Sequence, residues 1–298
     1  MLRTLFKTIT IVSALVSAIV AFAGWRWVTP IRKAARTYPT GVEVKNVRFW
    51  SGDGTELFGA YLEGRSGHPG VVLCHGYFRD HFEPLETGIA FNQAGYHVLL
   101  FDFRGCGRSG GIRTTAGYLE TGDVSAAVQY LRGQLGEEPL GVLGISMGAA
   151  SAIMAAPNAA VAAIVADSPF AHLEGVMERK VRDFTPHPWL VPLAWTSIAI
   201  GEALSGGDYR AVRPVDSVRS LGSTPMLVIY GERDEFVSSD QIDELIQAMP
   251  GPKELWILDC GHAMARIERG EEYRARVLRF FETHLATRNG PETDSGRS

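Results

Sequence analysis

At 298 residues the chain is long enough for one large domain or two small ones, and an apolar share of 46% supplies a sizeable core. The formal charge of −4 removes the electrostatic reason to expect a nucleic-acid partner, whose footprint is a strongly basic face. Three scattered cysteines, Cys74, Cys106 and Cys260, are too few for a disulfide framework or a zinc site, and the 33 glycines are spread along the chain rather than gathered in repeats.

The first element is an apolar one. From Thr8 to Trp25, TITIVSALVSAIVAFAGW, there is no charged residue, and Arg3 and Lys7 stand before it. As a helix this stretch spans about 27 Å, just short of a typical hydrocarbon core. Ala21-Phe22-Ala23 fits the small-residue pattern of a cleaved signal peptide. Trp25 and Trp27 stand where an interfacial aromatic belt would sit, which favours an uncleaved single-pass anchor over export after cleavage. Positive charges nearly balance on its two sides (Arg3, Lys7 and the amino terminus against Arg26, Arg32, Lys33 and Arg36), so the positive-inside rule assigns no orientation. The polar IRKAARTYPT that follows reads as a linker, making residues 1–36 anchor and linker and residues 37–288 the globular domain.

That domain begins with two alternating runs, VEVKNVRFW and TELFGAYLEG, separated by SGDG, which predicts a two-stranded hairpin. Short apolar runs bounded by glycine or proline then alternate with helical stretches. Strands are expected at 70–76, 96–105, 139–146, 160–170, 225–231 and 253–259, and helices at 117–136, 147–156, 238–249 and roughly 267–287. Continuous apolar strands alternating with helices predict a mostly parallel sheet covered on both faces, an α/β fold. Residues 171–222 hold no strand pattern. An insertion that long should carry its own helices and reads as a cap over the carboxyl edge of the sheet. The tail, RNGPETDSGRS, has the composition of a disordered segment; residues 289–298 are set apart on that ground.

Ligands of open parallel sheets bind beyond the carboxyl ends of the strands. At such an end stands Gly144-Ile145-Ser146-Met147-Gly148, a G-x-S-x-G match with a strand before it and a small-residue helix after. Gly144 and Gly148 let the chain turn sharply while strand and helix still pack, so the Ser146 hydroxyl is held out as a nucleophile. A serine needs an adjacent base and a third group to orient that base. His172 and His187 lie in the insertion and His284 inside the last helix, which leaves His262, in the glycine-containing loop DCGHAMA, as general base. The strand PMLVIYG runs into ERDEFV, where Asp234 is the first choice for the orienting acid and Glu235 the second, with Glu232 on a solvated face. Oxyanion donors are expected from the backbone N–H of Met147, after the nucleophile, and of Tyr77, in the loop His75-Gly76-Tyr77. His75 and Gly76 shape that loop, and the Tyr77 and Phe78 side chains line a substrate pocket or pack in the core.

These residues carry a resemblance. H-G-x after the third strand, DFRGCGRSGG after the fourth, G-x-S-x-G, then GERDEFV and GHA look like an α/β-hydrolase, over residues from about 42 to 287. The resemblance implies that Asp102, Arg104, Gly105, Gly107 and Ser109 support the site structurally and that Cys106 fills the same loop. The glycine-rich GCGRSGG lacks the lysine of a P-loop. The N-terminal anchor, ADSPF and RPVDSVRSLGSTPMLVIYGERDEFV resemble the membrane-anchored bacterial relatives of lipid and thioester hydrolases, a group similar to serine aminopeptidases and monoacylglycerol lipases. The resemblance implies a serine hydrolase of carboxylic esters or thioesters, acting without cofactor or metal on a small-molecule or lipid-like acyl substrate. Two alternatives stand beside it: an aminopeptidase-type enzyme holding a free amino group on Glu174, Glu178 or Glu202, and a non-catalytic membrane-tethered binding protein.

Overall fold

In the computed structural model, which describes residues 1–32 and 36–285, each bounded apolar run of the domain becomes a strand of one eight-stranded sheet. Lys33 of the expected linker and the whole of the expected disordered tail lie outside the described residues. The strands are β1 (Lys45–Trp50), β2 (Glu56–Leu62), β3 (Gly70–Cys74), β4 (His97–Asp102), β5 (Leu140–Ile145), β6 (Ala163–Asp167), β7 (Met226–Gly231) and β8 (Lys253–Leu258). Their order across the sheet is β1-β2-β4-β3-β5-β6-β7-β8. The hairpin β1–β2 is antiparallel and joins β4 antiparallel; every other pairing is parallel.

Alternation within the strands sorts the core into two layers, because successive side chains point to opposite faces. Val72, Cys74, Val142, Ile164, Ala166 and Val228 pack on one side, against helices α3 (Glu120–Leu135), α4 (Met147–Ala159) and α8 (Ser239–Ala248). Val71, Leu73, Leu143, Ile145, Val165 and Leu227 pack on the other, against α2 (Leu85–Gln93) and α10 (Gly270–His284). Strands β3 and β5 are buried at every position, which is why their sequences run apolar without alternation. Helix α2 is not announced by the sequence pattern. Its LETGIAFNQ mixes Thr87 and Gly88 into a short apolar run, and the helix forms because Gly88 lets it lie close to Leu73 and Leu100.

Residues 171–222 contain no strand and carry α5 (Leu173–Phe184), α6 (Val191–Ser205) and α7 (Pro214–Val218), with single 3-10 turns between them. The end of this segment packs into the main core through the fully buried Val212, Val215 and Val218. Phe184 and Trp189, by contrast, face outward. A short helix α9 (Ala265–Glu268) precedes α10.

The apolar N-terminus is one helix, α1 (Leu2–Val28), about 40 Å long. It extends the uncharged core of the span by two turns at its start and one at its end. Its apolar side chains from Leu2 to Phe22 stand exposed, and only Gly24 and Val28 are buried. It is long and apolar enough to cross a membrane or to serve as a signal sequence.

Candidate active site

Strand β5 ends at Ile145, and Ser146 opens α4 with φ +53° and ψ −116°. A side chain with positive φ is strained, and the strain is tolerated here because the chain must reverse within one residue. A Cβ on Gly144 would lie 2.4 Å from the Gly148 carbonyl oxygen, and one on Gly148 would lie 2.5 Å from the carbonyl oxygens of both Cys74 and His75. The two glycines are therefore required by backbone-to-backbone approach. Gly148 also presses the serine turn against the His75-Gly76 loop.

His262 is placed by the loop after β8. Its Nε2 lies 2.7 Å from Ser146 Oγ and its Nδ1 2.6 Å from Asp234 Oδ2. A carboxylate accepts, so Nδ1 carries the proton and Nε2 is left to accept from the serine hydroxyl. The second oxygen of Asp234, Oδ1, accepts from the N–H groups of Phe236 and Val237, both at 2.8 Å, which locks the carboxylate's orientation. Glu235 reaches only the backbone N–H of His262, at 3.3 Å, and not its ring. His172 caps α5, accepting from Gly175, far in role from Ser146.

The loop after β3 stands across from the serine. His75 is buried, its Nε2 accepting from Phe103 N–H at 3.0 Å while Nδ1–H donates to the Gly76 carbonyl at 2.7 Å. Gly76 N–H donates to Glu83 at 2.6 Å, and Arg266 holds the other oxygen of Glu83 at 2.8 Å. Among the described residues, the N–H groups of Tyr77 and Met147 have no hydrogen-bond partner. The side chains of Tyr77 and Phe78 stack on each other, centroids 4.1 Å apart. Tyr77 packs against the main core, and the pair also sits against the end of α1.

The DFRGCGRSGG loop is tied together from within. Asp102 accepts from the His81 ring and backbone and from Arg108 N–H. Burial pushes its carboxyl upward, but the His81 contacts outweigh that and hold it below the usual range. Arg104 grips Asp123 through two nitrogens and reaches Asp53 and Ser51. Ser109 Oγ donates to the Asp102 carbonyl and accepts from Phe58 N–H. A Cβ on Gly105 or Gly107 would collide with Arg113 or Asp102. Cys106 is buried and its thiol is pushed well above its ordinary range by that burial. None of these groups contacts Ser146 or His262; they brace the loop.

Three further features lie near the site. Arg179 of α5 donates to the Asp234 carbonyl at 3.0 Å, and Lys180 lies 3.7 Å from the centre of the Phe236 ring, which packs on His262. Ser168 Oγ accepts from Ala263 N–H at 2.9 Å and donates to Asp167, a fully buried carboxyl that burial pushes up to about 6. Among the described residues six non-glycine positions have positive φ, and four of them, Phe78, Ser146, Ser168 and Ala263, lie together here. Such strain persists only where the surroundings over-determine the backbone. Among the described residues no cluster of three or more His, Cys, Asp or Glu side chains offers a metal site.

Comparison with known proteins identifies the family and the fold. Residues 71–276 match the model of a family described as the alpha/beta hydrolase family. The uncharacterized protein Rv2307c of Mycobacterium tuberculosis is 30% identical over 257 residues, covering 85% of this chain and 83% of that protein. The thiohydrolase aneE of Aspergillus aculeatus is 26% identical over 266 residues, covering 70% of this chain and 83% of its own length. Among solved structures, the Pyrococcus furiosus esterase Pf2001 superposes with a TM-score of 0.73 at 29% identity, over 88% of this chain and 99% of that one.

Proposed function

Because the chain belongs to the alpha/beta hydrolase family, we propose that it is a serine hydrolase of carboxylic esters or thioesters, with Ser146 as nucleophile, His262 as general base and Asp234 orienting His262. The observation that carries this reading is the continuous chain of short hydrogen bonds from Ser146 Oγ through both nitrogens of His262 to Asp234.

In the first step Ser146 Oγ attacks the acyl carbon as His262 Nε2 takes the hydroxyl proton. The imidazolium formed is stabilised by Asp234, whose second oxygen is already held by two N–H groups. The developing oxyanion faces the free N–H groups of Met147 and Tyr77. Collapse of the tetrahedral adduct expels the alkoxide or thiolate, which takes the proton back from His262. Water, deprotonated by the same nitrogen, then attacks the acyl-serine, and collapse of the second adduct frees the acid as Ser146 Oγ takes the proton back from His262. No step calls for a cofactor.

The substrate class is a lipid-like acyl compound. Supporting it are the apolar α1, read as a single-pass anchor with its linker over residues 1–36, and the outward-facing Phe184 and Trp189 of the cap over 171–222. The hydrolase domain then runs over 37–288. An esterase and a thiohydrolase among the relatives fit the ester or thioester bond. An amino-group site in the cap has less support, because Glu202 already accepts from Tyr209 N–H at 2.7 Å and caps that turn.

The test is labelling of the full-length chain with a fluorophosphonate probe beside Ser146→Ala and His262→Ala, followed by p-nitrophenyl esters of increasing chain length. Labelling lost in both variants, with turnover rising from acetate to octanoate, supports the reading. A folded wild-type chain that takes no probe, in detergent and in lipid vesicles alike, rejects it. The size of the protein recovered from the membrane fraction separates the anchor from cleavage after Ala23.

A further inference from the structure

A helix that served only as a tether would need nothing from the domain beyond a covalent link. The last turn of α1 is instead built into it. The final carbonyls of a helix lack intrahelical partners, and here two of them are taken up by loops of the domain. The Tyr77 phenol donates to the Trp27 carbonyl, and Thr114 N–H donates to the Val28 carbonyl at 2.9 Å. The guanidinium of Arg26 lies over the Phe78 ring, 5.1 Å from its centre. Just beyond the helix, Arg32 donates to the carbonyls of Ser109 and Gly111, each at 2.7 Å.

The helix is also seated on the cap. A Cβ on Gly24 would lie 2.5 Å from the Ser197 carbonyl and 2.8 Å from Ile200 Cβ, and one on Gly201 would lie 2.9 Å from the Gly24 carbonyl. Helices α1 and α6 thus cross backbone to backbone. No side chain can enter at either glycine without parting them.

These contacts converge on one short segment. Tyr77 supplies, in the proposed mechanism, one of the two oxyanion N–H groups. Its neighbour Phe78 is a bulky residue at φ +57°, a conformation that costs energy and must be held from outside. The holding groups are the stacked Tyr77 ring and Arg26, both anchored on the last turn of α1. Burial pushes the Tyr77 phenol well above its ordinary range, so it stays protonated and remains a donor.

We infer that the last turn of α1 is part of the active site: by accepting from the Tyr77 phenol at the Trp27 carbonyl it sets the position of the oxyanion N–H, so that the seating of the apolar helix and the rate of acyl transfer are coupled. Tyr77 is, in its side chain, a positioning residue, and the inference rests on the serine-hydrolase reading above. The consequence is an enzyme whose turnover number depends on a helix outside its hydrolase domain.

The experiment compares full-length wild type, Tyr77→Phe and Gly24→Leu in detergent, measuring kcat and KM on p-nitrophenyl octanoate with thermal unfolding alongside. Tyr77→Phe keeps the backbone N–H and the ring and deletes only the tether. Gly24→Leu parts α1 from α6 and leaves Tyr77 intact. Both are expected to lower kcat about tenfold, a fraction of the loss of a whole oxyanion donor, with KM changed less than about twofold. Retention of wild-type kcat in both, with the wild-type chain active, overturns the coupling while leaving the hydrolase reading standing. A rise in KM with kcat unchanged also overturns it. Failure of the wild-type chain to take the fluorophosphonate rejects the hydrolase reading itself, and the coupling with it. If Tyr77→Phe proves too unstable to assay, Gly24→Leu decides the matter alone.

Discussion

Ser146 N–H donates to the Asp167 carbonyl at 2.8 Å, one residue beyond the last paired position of β5 and β6. The strained serine turn is thereby stitched to the end of β6, and the same short segment reaches the histidine loop through Ser168 and Ala263. Ser146 and His262 are positioned from one strand end, although 116 residues separate them in the chain.

That strand end carries a buried carboxyl, and its titration has a defined sign. Asp167 ionises near 6 in the folded protein, against about 3.9 in an unfolded chain. The unfolded state therefore gives up this proton first. Its contribution to stability is fully present below about pH 4 and is lost as pH rises through 6. Asp167→Asn removes the loss. In urea titrations the variant should gain about 2–3 kcal/mol relative to wild type between pH 4 and pH 7.5. A difference independent of pH would contradict the buried-carboxyl account.

The acid loop separates its two carboxylates by what they touch. Asp234→Asn should lower kcat by about 10⁴, since the amide favours the wrong imidazole tautomer, while binding of substrate changes little. Glu235→Gln, which disturbs only a long contact to the His262 backbone, should stay within about fivefold of wild type. A larger loss for Glu235→Gln than for Asp234→Asn would reverse the assignment.

Gly148→Ala tests the close approach of the serine turn to the neighbouring loop. The added methyl would meet two carbonyl oxygens at 2.5 Å. Backbone cannot rotate away as a side chain can, so a destabilisation of about 3 kcal/mol is expected, together with slower labelling of Ser146. Unchanged thermal stability would show that the turn has room the structure denies it.

The brace beneath the site depends on a buried ion pair. Asp123→Asn removes the buried counter-charge of the Arg104 guanidinium and leaves it a single neutral amide oxygen there beside Asp53 and Ser51, and should cost about 3 kcal/mol in urea unfolding. Arg104→Met with Asp123→Leu should recover part of that loss, because an apolar pair has no charge to desolvate. A double variant no better than the single one would mean that the contacts of Arg104 to Ser51 and Asp53 matter more.

Much of this molecule is legible in the order of its residues. Strand periodicity, the glycines flanking Ser146, and the position of His262 after the last strand all reflect local rules: which way a side chain points, how tightly a turn can close, where strand ends fall. The core of the sheet follows from the same alternation, as the two-layer sorting of Val71 and Val72 or Leu143 and Val142 shows. Helix α2 escapes those rules because its glycine and threonine weaken any local signal, and only packing on Leu73 and Leu100 makes it a helix.

Tertiary structure alone decided what depends on contacts between distant segments. Asp234 and Glu235 are adjacent acids of nearly equal chemistry, and their place in the loop ranks Asp234 first without excluding Glu235. Asp234 is the one that meets the His262 ring, because two N–H groups of the following turn capture one of its oxygens and aim the other at His262. The seat of α1 is invisible in sequence for a similar reason. Its apolar run states that it is long and apolar enough to cross a membrane or to serve as a signal sequence, but the bond from Tyr77 to the Trp27 carbonyl joins residues 50 apart, and it forms only because α6 and the loop after β3 converge on the same turn.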